Sequence, residues 1–108
     1  MLTQILHASQ WCWKHNLIKT SRLLDKINLL CCSADIPGRA NIARSVSFAH
    51  GGIGVIVHPK AIIGEHCIIN AKVTIGNGYP NEGTPLLGNN VYVGVGTFIG
   101  GGYKLLIM

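Results

Sequence analysis

Residues 57–76 read VHPKAIIGEHCIINAKVTIG, and this stretch decides the fold because an aliphatic residue returns at every sixth position. The aliphatic positions are Val57, Ile63, Ile69 and Ile75. A compact residue stands four places after each of the first three, at Ala61, Cys67 and Val73. Such a fixed period indicates an internal structural repeat, and a repeat predicts a solenoid.

The repeat extends in both directions from this stretch. Before it, and displaced by a shift of three residues, the aliphatic positions are Ile36, Ile42 and Phe48. After it, in the register of Ile75, they are Leu87, Val93 and Ile99. We expect each hexad to form a short strand and a corner, and three hexads to form one triangular coil with the aliphatic side chains inside. The sequence therefore predicts a mainly β fold, a parallel β-helix.

Two interruptions of the repeat predict loops. One lies near residues 51–54, and the other covers residues 77–85, which are dense in Gly, Pro and Asn. Loops on a rigid scaffold are where binding and catalytic residues are expected.

Residues 1–33 have a different pattern, with leucine and isoleucine at spacings of three and four and no Gly or Pro. They predict an N-terminal α-helical arm, with Thr20 or Ser21 as the cap of a second helix. Trp11 and Trp13 are interpreted as packing anchors of this arm. The predicted domains are the arm at 1–33 and a β-helix at 34–108.

Composition narrows the class of protein. The chain has 108 residues, 48% hydrophobic and 12% charged, with a formal net charge of +5, which excludes a disordered chain. The basic residues are scattered and do not alternate with aromatic ones, so no nucleic-acid partner is expected. No apolar run is long enough to span a bilayer. With no targeting segment evident, we expect a cytoplasmic protein.

The cysteines also favour a reducing compartment. The four are Cys12, Cys31, Cys32 and Cys67, and they form no CxxC pair. Cys67 stands at a compact inward position of the repeat, which favours core packing over a nucleophilic role. We interpret Cys31 and Cys32 as buried thiols.

Four stretches carry a resemblance to a known family: residues 35–37 (DIP), 48–59 (FAHGGIGVIVHP), 73–76 (VTIG) and 87–94 (LGNNVYVG). Together they resemble the hexapeptide-repeat acyltransferases, and most closely the serine O-acetyltransferases of the branch found among capsule and exopolysaccharide genes. The resemblance covers about residues 17–102. It implies a left-handed β-helix, a homotrimer, and acetyl-CoA as co-substrate in a groove between neighbouring β-helices.

The resemblance also implies site residues. His50 corresponds to the family's catalytic histidine, which acts as a general base on the acceptor hydroxyl; imidazole suits this role because it titrates near neutral pH. Asp35 corresponds to the aspartate that orients this imidazole, as the carboxylate does in a Ser-His-Asp triad. Gly76, Gly94 and Thr97 match the CoA groove. The reaction implied is direct acetyl transfer from acetyl-CoA to L-serine, the first step toward cysteine.

Three departures from the family keep other functions open. Ala49 stands where an acidic residue usually precedes the histidine, and Gly83-Thr84 stand where Arg-His usually precedes the proline of the long loop. Both departures favour a sugar hydroxyl of a capsular or exopolysaccharide as the alternative acceptor. The chain also stops soon after Ile99, where the family continues, which implies a truncated member and leaves a non-catalytic remnant as a further alternative.

A metal site is the remaining alternative. His50, His58 and His66 are spaced by eight residues, and zinc often binds three histidines. The γ-class carbonic anhydrases also use a left-handed β-helix, but their histidine spacing differs. We therefore expect no metal, with His58 as a structural corner residue and His66 in solvent.

Overall fold

The computed structural model describes residues 1–76, 85–100 and the backbone of 104–105. Helix α1 spans Leu2–Lys14 and helix α2 spans Ile18–Cys32. The described part then contains short strands of two residues each: β1 Asn41–Ile42, β2 Ser47–Phe48, β3 Ile56–Val57, β4 Ile62–Ile63, β5 Ile68–Ile69, β6 Thr74–Ile75, β7 Leu86–Leu87, β8 Tyr92–Val93, β9 Phe98–Ile99 and β10 Lys104–Leu105.

The strands form three parallel sheets, one for each side of the triangular coil. Their orders are β1-β4-β7-β10, β2-β5-β8 and β3-β6-β9. Asp35 adds a parallel bridge to Ile56 at the start of the third sheet. Consecutive strands along the chain lie in different sheets, and each returns to its own sheet one coil later. The parallel β-helix predicted from the repeat is therefore confirmed.

Strand register explains the first interruption of the repeat. Ser47 pairs with Ile68, across the first interruption, and Ile56 pairs with Thr74, within the uninterrupted stretch. Ile56 and Thr74 lie three hexads apart in the chain. Ser47 and Ile68 lie three hexads plus three further residues apart. Strand pairing thus continues through the first interruption because its extra residues bulge out at a corner. Of the second loop predicted, residues 77–84 lie outside the described residues.

The interior is filled by the aliphatic positions of the repeat. In each strand from β3 to β5 the first side chain is exposed and the second is buried, as at Ile62 (40% exposed) and Ile63 (1%). Phe48 is the one aliphatic-position residue of the described repeat that is only half-buried. The same core cluster includes Leu2 and Leu6 of α1, so the arm packs directly on the β-helix. The division at residue 33/34 stays a prediction.

A polar cluster joins the arm to the first coil. Ser9 and Ser21, both buried, face each other between α1 and α2, with the two Oγ atoms 2.8 Å apart. Asp25 accepts a hydrogen bond from the backbone N–H of Gly38 at 3.0 Å. A Cβ at Gly38 would lie 2.7 Å from the carbonyl carbon of Ser9, so only glycine lets the turn approach α1 this closely.

Three expectations about the arm are wrong. Helix α2 begins at Ile18 after Leu17, so Thr20 and Ser21 lie inside the helix, where Ser21 bonds across to α1 instead of capping. Trp11 is 55% exposed and so does not anchor the arm. Cys31 is exposed, and Cys32 is only partly buried where the end of α2 packs against the edge of the core.

Candidate active site

Asp35 lies on the outer face of the third sheet, where its backbone is fixed on both sides. Its N–H donates to the carbonyl of Val55 and its carbonyl accepts from the N–H of Val57, both at 2.9 Å. The neighbouring Ile36 is buried in the core, and strand alternation therefore turns the Asp35 side chain outward, where it is exposed. The carboxylate borders a cavity of about 390 Å³ whose basic side chains are Arg22, Lys26 and Arg39.

His50 lies in the corner that leads from the second sheet into the third. The corner is a short 3₁₀ turn, Ala49–Gly52, in which His50 and Gly51 have left-handed backbone with φ of 54° and 66°. Left-handed backbone is uncommon for a non-glycine residue, but it also occurs at the corners of His66, Lys72 and Asn90 and is therefore part of the corner geometry of the repeat. The His50 side chain is exposed and free to meet a ligand. A Cβ at Gly52 would collide with Leu2, so α1 supports the turn from beneath.

Backbone hydrogen bonds hold the His50 turn beside the Asp35 segment. The Gly54 N–H donates to the carbonyl of Ser33 at 2.8 Å. The carbonyl of the next residue, Val55, accepts the hydrogen bond from the Asp35 N–H. Both predicted residues therefore belong to the same edge of the third sheet. In the residues described, the Asp35 carboxylate and the His50 imidazole form neither a hydrogen bond nor an ion pair with each other. Their catalytic roles stay predictions.

The same corner continues through the next coils as a ladder of backbone hydrogen bonds. The backbone N–H of Lys72 donates to the carbonyl of Ile53 at 2.8 Å, and the N–H of Gly96 donates to the carbonyl of Ala71 at 3.1 Å. Gly94 and Thr97 lie on this corner, where the Thr97 hydroxyl donates to the Gly94 carbonyl at 2.7 Å. The structure thus brings His50, Gly94 and Thr97 to one corner of the β-helix.

Gly76 lies at the other edge of the third sheet, directly after β6, where its N–H donates to Ile99 at 2.8 Å. A Cβ at Gly76 would come no closer than 3.7 Å to Thr74, and one at Gly94 no closer than 3.9 Å to Thr97. Packing against the described residues therefore requires glycine at neither position. The open backbone at both is suited to the close approach of an extended ligand.

Lys72 is a residue of this corner that sequence reasoning missed. It is exposed, has left-handed backbone with φ of 59°, and packs under Gly54 in the coil below the His50 turn. It places a cation between the His50 turn and the Gly94–Thr97 turn. Its position at a hexad corner, two residues before Thr74, could be read from the sequence. The repeat gives no reason, however, to assign a function to a charged residue at a corner.

The other two histidines have local structural contacts. The Nδ1 atom of His58 accepts a hydrogen bond from the Lys60 N–H at 3.0 Å, which fits the predicted corner role. His66 is exposed, as expected, and its N–H donates to the Ser45 hydroxyl at 2.7 Å. Among the described residues, no three His, Cys, Asp or Glu side chains are grouped so that they could hold a metal ion. No helix described here has the length and apolarity to cross a membrane.

Comparison with known proteins gives a consistent result. No protein-family model matches the chain. The serine acetyltransferase of Synechococcus elongatus is 30% identical over 100 residues, covering 91% of this chain and 41% of its own length. The soybean serine acetyltransferase apoenzyme has a TM-score of 0.86 at 27% identity, covering 95% of this chain and 43% of its own.

A second similar structure is a serine acetyltransferase in complex with CoA, with a TM-score of 0.84 at 21% identity. It covers 95% of this chain and 42% of its own length. This chain thus spans about two fifths of each relative. The predicted fold, a left-handed β-helix with an N-terminal helical arm, is confirmed. So is the family resemblance: over most of its length, the chain matches part of the hexapeptide-repeat serine O-acetyltransferases.

Proposed function

We propose that this chain is the β-helical part of an acetyl-CoA-dependent O-acetyltransferase that acts on L-serine. The observation that carries the proposal is the corner described above, where an exposed histidine in a left-handed turn lies in one hydrogen-bonded column with Gly94 and Thr97. The likeness to serine acetyltransferases supports the same reaction.

In this mechanism His50 is the general base. Its imidazole nitrogen takes the proton of the acceptor hydroxyl while that oxygen bonds to the thioester carbonyl carbon, and the bond from this carbon to sulfur then breaks. The imidazolium returns the proton to the departing thiolate, so that no acyl-enzyme forms. Asp35 orients the ring and stabilises its protonated form once the acceptor is bound.

Acetyl-CoA fits the residues of the third sheet and its corner. Gly76 and Gly94 leave the backbone open, Thr97 offers a hydroxyl, and Lys72 adds a cation for the phosphates. When bound, acetyl-CoA supplies the activated acetyl group. We propose no resident metal for this reaction.

We further propose that the active assembly is a homotrimer in the cytoplasm. The outward positions of the second sheet carry exposed apolar residues, as at Ile68 (40%) and at its strand partner Tyr92 (65%). Apolar side chains repeated along one solenoid face are typical of contact surfaces. The cysteines of the described residues are free thiols, which suits a reducing compartment.

A sugar hydroxyl is the second candidate acceptor. Ala49 immediately precedes His50, and so the carboxylate that the family usually carries there for an amino group is missing. Gly83 and Thr84, the other departure, lie outside the described residues. If L-serine is the acceptor, other groups must bind its ammonium and carboxylate.

The decisive experiment is acetyl-CoA turnover with and without L-serine in the unmodified chain and in His50→Ala. Because Cys31 is exposed and would itself react with a thiol reagent, turnover is better followed by loss of the thioester absorbance. We expect serine-dependent turnover that falls at least ~10²-fold in His50→Ala, the usual contribution of a general base.

The matched control is His66→Ala, which removes another exposed histidine from a different corner and should leave turnover unchanged. Near-normal turnover in His50→Ala would overturn the assignment of the base. Turnover with a polysaccharide acceptor but not with serine would favour the sugar. A sedimenting monomer with no turnover on either acceptor would favour the non-catalytic remnant.

A further inference from the structure

A cavity of about 320 Å³ lies between the C-terminal half of α1 and the first coil of the β-helix. Its helix wall includes Gln10, Trp11, Trp13 and Lys14, and the facing wall includes Arg39 and Arg44. It is separate from the His50 corner, because residues 38–42 lead from the third sheet into the first. Its volume lies within the range of about 300–1,000 Å³ that is usual for small-molecule sites.

The two walls are fixed relative to each other. The Gln10 side-chain Nε2 donates to the backbone carbonyl of Ile42 at 2.9 Å, which links the middle of α1 to β1. Ser9 and Cys12, on either side of the Gln10–Trp11 pair, are buried and hold the helix against the rest of the protein. The cavity is therefore preformed, and a ligand would not have to order it.

The charge of the cavity has one sign. Among the described residues, Lys14, Arg39 and Arg44 line it and no carboxylate side chain does. Within the described residues, the Arg44 guanidinium has one side-chain hydrogen-bond partner, His7, whose Nδ1 lies 3.4 Å from the arginine Nη2 and carries no negative charge. Three cations that converge on a cavity whose described lining holds no carboxylate suit an anion with several acceptor oxygens.

The aromatic content of the cavity is equally specific. Both tryptophans of the chain line it. Trp11 is 55% exposed and stacks one face on the imidazole of His15, with ring centroids 4.1 Å apart. An exposed indole contributes little to the core, but it offers a flat surface on which a planar ring can stack.

We propose that this cavity binds a nucleoside phosphate. The base stacks against an indole, and the phosphate oxygens accept hydrogen bonds from Lys14, Arg39 and Arg44. This site is additional to the acetyl-transfer site proposed above and stands independently of it.

Tryptophan fluorescence tests the proposal directly, because both tryptophans of the chain lie in the cavity. ADP is titrated into the unmodified chain, with excitation at the red edge of indole absorption, where adenine does not absorb. We expect saturable quenching by ADP, and at least about tenfold weaker binding of adenosine or of pyrophosphate, since each lacks one of the two recognised parts. Equal affinity for pyrophosphate and ADP would overturn the role of the indoles, and absence of saturation would overturn the site.

Charge-matched variants locate the binding. Arg44→Gln and Lys14→Gln each remove one cation of the cavity and should weaken ADP binding about tenfold. Lys60→Gln and Lys19→Gln remove exposed cations elsewhere and should leave it unchanged. Equal losses in all four variants would show a non-specific charge effect and overturn the proposal. Circular dichroism of each variant checks that the fold is kept.

A parallel titration with CoA, which carries the same adenosine phosphates, distinguishes the source of the ligand. A free nucleotide is indicated if Arg44→Gln weakens ADP binding but leaves CoA binding unchanged. Loss of both together indicates that the cavity takes the nucleotide part of CoA. Because these readouts measure binding, failure of acetyl transfer would leave them intact.

Discussion

The Ser9 hydroxyl of α1 lies 2.6 Å from the Oδ1 of Asp25 on α2 and donates a hydrogen bond to it. The same oxygen accepts the Gly38 N–H at 3.0 Å. One carboxylate oxygen therefore connects the two helices of the arm to the turn that begins the β-helix. A hydrogen bond to a charged acceptor is stronger than one between neutral groups, so Asp25 fixes the angle at which the arm leaves the first coil.

Removing this carboxylate should destabilise the protein. We expect Asp25→Ala to lower the free energy of unfolding by about 2–3 kcal/mol, because the Ser9 hydroxyl and the Gly38 N–H lose their acceptor in a partly buried position. Asp25→Asn keeps an oxygen acceptor and should cost about 1 kcal/mol less. Urea unfolding followed by circular dichroism measures both. Asp35→Ala, which removes an exposed carboxylate, is the control, and an equal loss there would contradict the role given to Asp25.

Gly38 should tolerate no side chain. A Cβ at this position would lie 2.7 Å from both the carbonyl carbon and the Cβ of Ser9, so Gly38→Ala must push α1 away from the turn. We expect a loss of about 1–3 kcal/mol in the free energy of unfolding, as for other overpacked sites. Gly94→Ala, with its nearest neighbour at 3.9 Å, should leave the unfolding midpoint unchanged. A Gly38→Ala protein as stable as the unmodified chain would contradict the close approach.

Adjacent isoleucines of β4 should respond in opposite ways. Ile63 is 1% exposed inside the coil, whereas Ile62 is 40% exposed outside it. Ile63→Ala should cost about 2–5 kcal/mol through lost burial and the cavity left behind. Ile62→Ala should cost under about 1 kcal/mol in the isolated chain. Thermal unfolding of the two variants measures the difference, and the reverse order would contradict the inward register of the repeat.

The cysteines should differ in reactivity. Cys31 is exposed, Cys32 is partly buried, and Cys12 and Cys67 are buried. In the folded protein we expect alkylation of Cys31 first, then Cys32, with Cys12 and Cys67 protected until urea is added. The Cys67 thiol also donates to the Gly88 carbonyl at 3.0 Å, which holds it inside the coil. Peptide mass spectrometry after a timed alkylation measures the order, and early labelling of Cys67 would show that the repeat is not packed as described.

The hexad repeat allowed most of the β-helix to be predicted. The period of the repeat predicts which side of each strand faces the core. The residues predicted to face inward are all buried, namely Val57, Ile63, Ile69 and Ile75. The shift in the phase of the repeat also predicted a loop of inserted residues at the His50 corner. It did not predict that Phe48, just before this corner, is only half-buried while it still packs against the core.

The candidate site was predicted less completely. The resemblance selected His50 and Asp35, and the structure places them along one edge of the third sheet. Lys72 was missed, because corner residues of successive coils become neighbours only when the chain has wound through a complete turn. Trp11 and Cys31 were misplaced for a related reason: the pattern of an amphipathic helix locates a buried stripe but does not show how far the supporting surface extends beside it.

The sequence by itself determined the parallel β-helix, the phase of its core and the presence of a helical arm, because these depend on short-range periods that each coil repeats. The tertiary structure alone decided how the arm is attached through Ser9, Asp25 and Gly38, and which residues of different coils share a corner. It also decided that both tryptophans face a basic cavity. These relationships join residues far apart in the chain, and no local period encodes the contact that brings them together.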